Sequence, residues 1–203
     1  MLHSRRLVPS LAVVLLAASA CGSDDGHSHN EEEVINTVTL TFTPSGGGAA
    51  ITAAYDDPDG DGGEAPTIDP IDLPPGDYTL TITFENTLED PPEDITAEVE
   101  DEGDQHQIFL TGTAVDGPAT DNAGAPLMHA YGDDDANGLP LGLTNDITAV
   151  AGTGTMTLTL RHMPPVNDTA VKVDGLAEQV VTDGINGLPG ATDVSIEFDV
   201  TVE

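Results

Sequence analysis

The chain has no tryptophan, few aromatic residues of any kind, a single cysteine, and only four lysines and arginines in 203 residues. Each shortage excludes something. One cysteine, Cys21, rules out a disulfide within the chain, so the fold must hold by packing alone. Four cations against 37 acidic residues give a formal net charge of −33. Such a field repels a phosphate backbone and attracts cations, which excludes nucleic-acid binding. Strong acidity with almost no lysine also fits a secreted protein adapted to salty surroundings, and adaptation and function are compatible. Long apolar runs are missing too. The one candidate, Leu7 to Ala20, falls short of the roughly 20 residues that a membrane-spanning helix needs.

That run reads instead as an export signal. Arg5 and Arg6 precede it, and it ends in small residues, Ala18-Ser19-Ala20, directly before Cys21. The arrangement is similar to a lipobox, with Ala18 where leucine is more usual. On this reading residues 1–20 are a lipoprotein signal peptide and Cys21 is the lipid-attachment site that anchors the protein to a membrane. The alternative is an ordinary secreted protein carrying a spare thiol. Gly22 stands where an inner-membrane retention signal would place aspartate, so the expected location is the outer membrane, facing the periplasm or the cell surface.

Residues 21–33 are polar, charged and free of aromatics, and predict a disordered tether rich in acids and histidine. Residues 34–203 are enough for one domain. Four segments alternate with period two. Val34, Val38, Leu40 and Phe42 share one face, as do Tyr78, Leu80, Ile82 and Phe84. Met156, Leu158, Leu160 and His162 form a third such row, and Val194, Ile196, Phe198, Val200 and Val202 a fourth; threonines dominate the opposite faces. This pattern predicts strands with one buried and one wet face. Weaker strands are expected at Ala49–Tyr55, His106–Thr113, Leu127–Tyr131 and Leu141–Val150. Many short strands separated by glycine- and proline-rich turns point to an all-β fold, an immunoglobulin-like antiparallel β-sandwich. One short helix is predicted near 93–102, with Asp94 as its cap, Ile95 and Val99 one turn apart and Gly103 as its stop. Residues 164–190 show no assignable pattern.

Two loops repeat. Ala54-Tyr55 is followed by Asp57, Asp59, Asp61 and Gly62, and Ala130-Tyr131 by Asp133, Asp135, Asn137 and Gly138. Oxygen side chains at positions 1, 3 and 5 with glycine at 6 suit a hard cation, and resemble the front half of an EF-hand or dockerin-type calcium loop. The bidentate glutamate expected at position 12 is replaced by Ile68 and Thr144, so a calcium ion would need Glu64 or Asp69 in one loop and Asp146 in the other. The competing reading is a pair of hairpin turns, since Asp-Gly and Asn-Gly are common turn chemistry.

The histidines form a second group. His27 and His29 lie in the tether beside Glu31, Glu32 and Glu33, and His106, His129 and His162 lie in the domain. Imidazole with carboxylate is the ligand set for zinc or another transition metal. Whether the domain trio meets in space is not readable from sequence, and separate strand-end histidines are the alternative. Enzyme chemistry has no foothold: no nucleophile elbow, phosphate loop, dinucleotide fingerprint or zinc-protease motif is present. A non-catalytic protein is expected.

Several segments together resemble a group of bacterial lipoproteins carried under the label "type 1 periplasmic binding fold superfamily". They are Glu31–Thr43 (EEEVINTVTLTFT), Asp57–Gly63 (DPDGDGG), Glu93–Phe109 (EDITAEVEDEGDQHQIF), Asp133–Gly138 (DDDANG) and Leu160–His162 (LRH). The label implies two α/β lobes around a ligand cleft, whereas the length and strand pattern here point to one β domain. The resemblance also implies a histidine- and acid-rich tether and a metal-related role beside an outer-membrane transport protein. Two expectations result. One is a metal-associated binding module, stiffened by calcium or holding a transition metal. The other is a structural or adhesive surface domain whose acidity reflects a saline environment.

Overall fold

A computed structural model describes residues 33–60 and 62–203. The signal peptide, Cys21, the tether histidines His27 and His29, and Asp61 lie outside the described residues. In chain order the elements are β1 (Thr37–Pro44), β2 (Ile51–Asp56), β3 (Thr67–Ile68), β4 (Ile71–Leu73), β5 (Gly76–Asn86), β6 (Glu93–Asp94), α1 (Ile95–Asp101), β7 (His106–Thr111), β8 (Val115–Asp116), β9 (Leu127–Tyr131), β10 (Thr144–Ala149), β11 (Gly152–His162), α2 (Leu176–Asp183), a 3-10 turn (Ile185–Gly187) and β12 (Ala191–Val202). The fold is all-β with two short helices. Eight strands form one sheet, in the order β3-β2-β1-β5-β10-β9-β8 with β6 paired to β5, and this sheet curls into a half-barrel. Four more form the order β4-β12-β11-β7. Both sheets are mixed rather than antiparallel throughout, because β4 runs parallel to β12 and β8 parallel to β9.

The alternating rows explain how the layers meet. Val38, Leu40 and Phe42 of β1 and Tyr78, Leu80, Ile82 and Phe84 of β5 face one interior. Met156, Leu158 and Leu160 of β11 and the even-numbered residues 194–202 of β12 face it from the other sheet. All of these side chains are buried, and their burial removes apolar surface from water at about 25 cal/mol per Å². Val34, assigned to the first row by its residue type, lies before β1 and is exposed.

Helix α1 begins where the sequence predicts. The Asp94 carboxylate accepts from the Ala97 N–H, and Ile95 and Val99 are buried against the main core. The segment without a readable pattern, 164–190, contains α2. Its Leu176, Ala177 and Val180 pack with Phe109, Met163 and Leu188 into a second, smaller cluster. Phe109 and Ile108 point to opposite faces of β7, and both are fully buried. Thus α2 covers the back of an edge strand that would otherwise offer apolar surface to water.

Candidate metal centre

His106 opens β7 and His162 closes β11. The antiparallel register pairs them directly, His162 with His106 and Leu160 with Ile108, so both imidazoles share the inward face at one end of the four-stranded sheet. Their rings stack with centroids 4.5 Å apart and planes inclined by 15°. Both residues are buried, 0% and 4% exposed. Burial, then the neighbouring His162, holds the His106 imidazole well below its ordinary range, at about 4, and burial lowers His162 as well. Both are therefore neutral at pH 7.

The hydrogen bonding of His106 fixes its tautomer. Its Nδ1 lies 3.2 Å from the backbone carbonyl of Glu102. A carbonyl only accepts, so Nδ1 carries the proton and Nε2 presents a lone pair. The Nε2 atoms of both histidines are buried without a hydrogen-bond partner among the described residues. A buried acceptor left in that state costs about 1–3 kcal/mol unless something else satisfies it. Glu102, at the C-cap of α1, stands beside them: one ligand atom from each of Glu102, His106 and His162 lies within 4.8 Å of the other two.

A second carboxylate approaches His106 alone through a local irregularity. The pairing of β11 with β12 slips between Leu160 and Arg161: Leu160 faces Val194, whereas Arg161 faces Thr192. Asp193 is the extra residue of a β-bulge, which re-aims a side chain that simple alternation would send outward. Its Oδ2 lies 3.8 Å from the His106 Nε2, with both side chains fully buried. The bulge is clamped by Arg161. Its guanidinium donates to the carbonyls of Leu188, Pro189 and Gly190 and to the Thr192 hydroxyl. Gly190 has φ +80°, and a Cβ there would collide with the His162 carbonyl oxygen, so only glycine fits this approach. At the N-terminal edge stands Glu33. Burial and then Glu98, with help from Asp193 and Glu102, push its carboxyl up to about 7.

The other nominated residues are placed elsewhere. His129, on β9 in the larger sheet, donates from Nε2 to the Asn145 side-chain carbonyl at 2.9 Å and takes no part in the His106–His162 group. The second aspartate loop already has partners. Asp133 accepts from the Gly142 and Thr144 N–H groups, Asp135 Oδ1 accepts from those of Asn137 and Leu139, and Asp135 Oδ2 pairs with the Lys172 ammonium at 2.9 Å. Asn137 is exposed. The cation paired with this loop in the structure is thus a lysine of the same chain, Lys172. In the first loop Asp57 meets the Tyr55 hydroxyl, Asp59 accepts from the Glu64 N–H, and Asp69 accepts from the Ala54 N–H; Asp59 stands exposed.

Sequence reasoning singled out two of the three converging residues. It missed Glu102 as a ligand, although Glu102 and His106 stand four residues apart, and it missed the approach of Asp193 to His106, because a bulge has no signature in an alternating strand. Comparison with protein-family models, curated proteins and solved structures finds no match to this chain. No helix among the described residues is long and apolar enough to cross a membrane.

Proposed function

We propose that the protein is a non-catalytic metal-associated binding module, held at the outer membrane through Cys21, whose domain takes up a transition-metal dication at His106, His162 and Glu102. One observation carries this reading: two buried, neutral imidazoles, register partners on adjacent strands with unpartnered Nε2 atoms, lie within 4.8 Å of a half-buried carboxylate. Buried imidazole with carboxylate is the donor set for zinc and similar ions, and the His106 Nδ1–H bond to a backbone carbonyl is the outer-shell contact that orients a ligating histidine. The acidic surface raises the local concentration of cations around the site. Service to an outer-membrane transporter is the setting that the sequence resemblance implies.

Zinc titration of the metal-free full chain tests this. One equivalent of zinc is expected to bind, with His106→Ala and His162→Ala each weakening affinity at least tenfold and His129→Ala leaving it unchanged. Equal affinity in the wild type and both site variants would remove the reading and leave the structural or adhesive role in its place.

A further inference from the structure

A chain with one cysteine has no internal disulfide to fasten the long segment between β11 and α2, yet that segment carries one half of a buried reactive pair. We infer that the side chains of Lys172 and Asp135 condense into an intramolecular amide, a covalent cross-link that forms once the chain has folded. The bond is separate from metal uptake, because neither residue belongs to the Glu102, His106 and His162 group.

Proximity is the first support. Lys172 lies between β11 and α2, and Asp135 in the loop between β9 and β10. The Lys172 Nζ stands 2.9 Å from the Asp135 Oδ2, and both side chains are fully buried. Nζ also donates to the Gly103 carbonyl at 2.7 Å, which fixes the end of the lysine. Gly103 in turn packs on the aspartate: a Cβ there would lie 3.4 Å from that of Asp135. Reactants held in one place and orientation reach effective concentrations of up to about 10⁸ M.

The second support is a pair of donors on the other carboxylate oxygen. Asp135 Oδ1 accepts from the Asn137 N–H at 2.8 Å and from the Leu139 N–H at 2.9 Å. Attack on Cγ pushes negative charge onto Oδ1, and two fixed backbone donors aimed at that atom stabilise such an oxyanion. Burial also favours the nucleophile, since it lowers the Lys172 ammonium below its ordinary range against the opposing pull of Asp135. The buried ion pair carries the desolvation cost of two charges, which a neutral amide does not.

The step needs no other reactant. One proton passes from Nζ to Oδ2, leaving a neutral amine beside a carboxylic acid. The Nζ lone pair forms the bond to Cγ, a second Nζ proton goes to Oδ2, and the Cγ–Oδ2 bond breaks with its electron pair on oxygen. Water leaves, Oδ1 remains as the amide carbonyl, and the one N–H left on nitrogen can still donate to the Gly103 carbonyl. The product ties the segment that leads into α2, and so the cluster of Leu176, Ala177 and Val180 on Phe109, to the β9–β10 loop.

Pepsin digestion of the purified full chain, denatured and followed by tandem mass spectrometry, reads the bond directly. The wild type is expected to give a branched peptide joining Asp135 to Lys172, lighter by one water than its two parts together. That measurement needs no variant to fold. Lys172→Arg keeps the cation but has no primary amine, and Asp135→Ala has no carboxyl, so both should give linear peptides only. Asp-Gly steps such as Asp59-Gly60 can lose the same water by closing on their own backbone, so the branch decides and not the mass alone. Linear peptides with unmodified Asp135 and Lys172, even after the folded protein has been kept warm for days, would overturn the cross-link. A water loss confined to Asp-Gly steps would do the same, and either result leaves the metal reading standing.

Discussion

Protonation of single side chains sets how this domain responds to acid. His106, His129 and His162 are all held below their ordinary range by burial, His106 to about 4. A depressed histidine contributes stability that is complete above about 6.5, its unfolded value, and is lost as pH falls toward the folded value. Glu33 has the opposite sign. Raised to about 7, it favours the fold below about 4.5, and that contribution disappears as pH rises through 7. Between these limits three histidines oppose one partly exposed carboxyl. The melting temperature of the metal-free protein is therefore expected to drop as pH is taken from 6.5 to 4.5, and His106→Gln to flatten that slope, in thermal scans followed by circular dichroism. Glu33→Gln should raise the melting temperature above pH 7. A second residue-scale test concerns the buried Lys172, whose ammonium pairs with Asp135 and donates to the Gly103 carbonyl at 2.7 Å. Lys172→Met leaves a buried carboxylate without its cation, and the expected loss in urea unfolding is about 3–5 kcal/mol.

At the scale of elements, the strands were legible wherever apolar and polar residues alternate. Leu127–Tyr131 was predicted with the bounds that β9 has, and the other seven predicted strands each overlap an observed one. Asp94 announced α1 because capping is a local interaction. Helix α2 gave no such signal: it starts after Gly175 without a side-chain cap, and its apolar residues acquire meaning only against Phe109 and Met163, far away in sequence. The short strands β3, β4, β6 and β8 escaped for a similar reason, since two or three residues carry no period and are recruited by a longer partner. The aspartate loops show what a motif leaves open. Spacing identified oxygens able to converge on a cation, but not that Lys172, 37 residues beyond Asp135, supplies one. Beside the bulge, Gly190 presses against the backbone of His162. Gly190→Ala puts a methyl group against the His162 carbonyl, so it is expected to cost more than about 1 kcal/mol in denaturant unfolding and to weaken zinc binding together.

For the whole molecule, the proposed centre joins the end of α1 to β7 and β11, three elements spread over residues 95–162. An ion bound there holds the ends of one sheet and a helix together, and it binds the folded chain in preference to the unfolded one. At a hundredfold excess over its dissociation constant, zinc should add about 2.7 kcal/mol of stability. For a domain of this size that corresponds to a rise of about 5–10 °C in melting temperature. A chelator should reverse it, and His162→Ala should abolish it in differential scanning calorimetry. A rise of the same size in that variant would place the stabilising ion elsewhere, for instance on the acidic surface.

By itself the sequence determined what depends on neighbours along the chain: two-faced strands, a capped helix, an acidic surface, an expected export signal with its cysteine, and a set of histidines able to bind metal. The tertiary structure decided which of those histidines meet. Strand register set His106 against His162 and left His129 in the other sheet, and a one-residue slip between β11 and β12 set Asp193 beside His106. The physical reason is that period two specifies only the face of a sheet on which a side chain lies. Its partners across the strands are fixed by pairings between residues far apart in the chain, and those are chosen by the packing of the whole core.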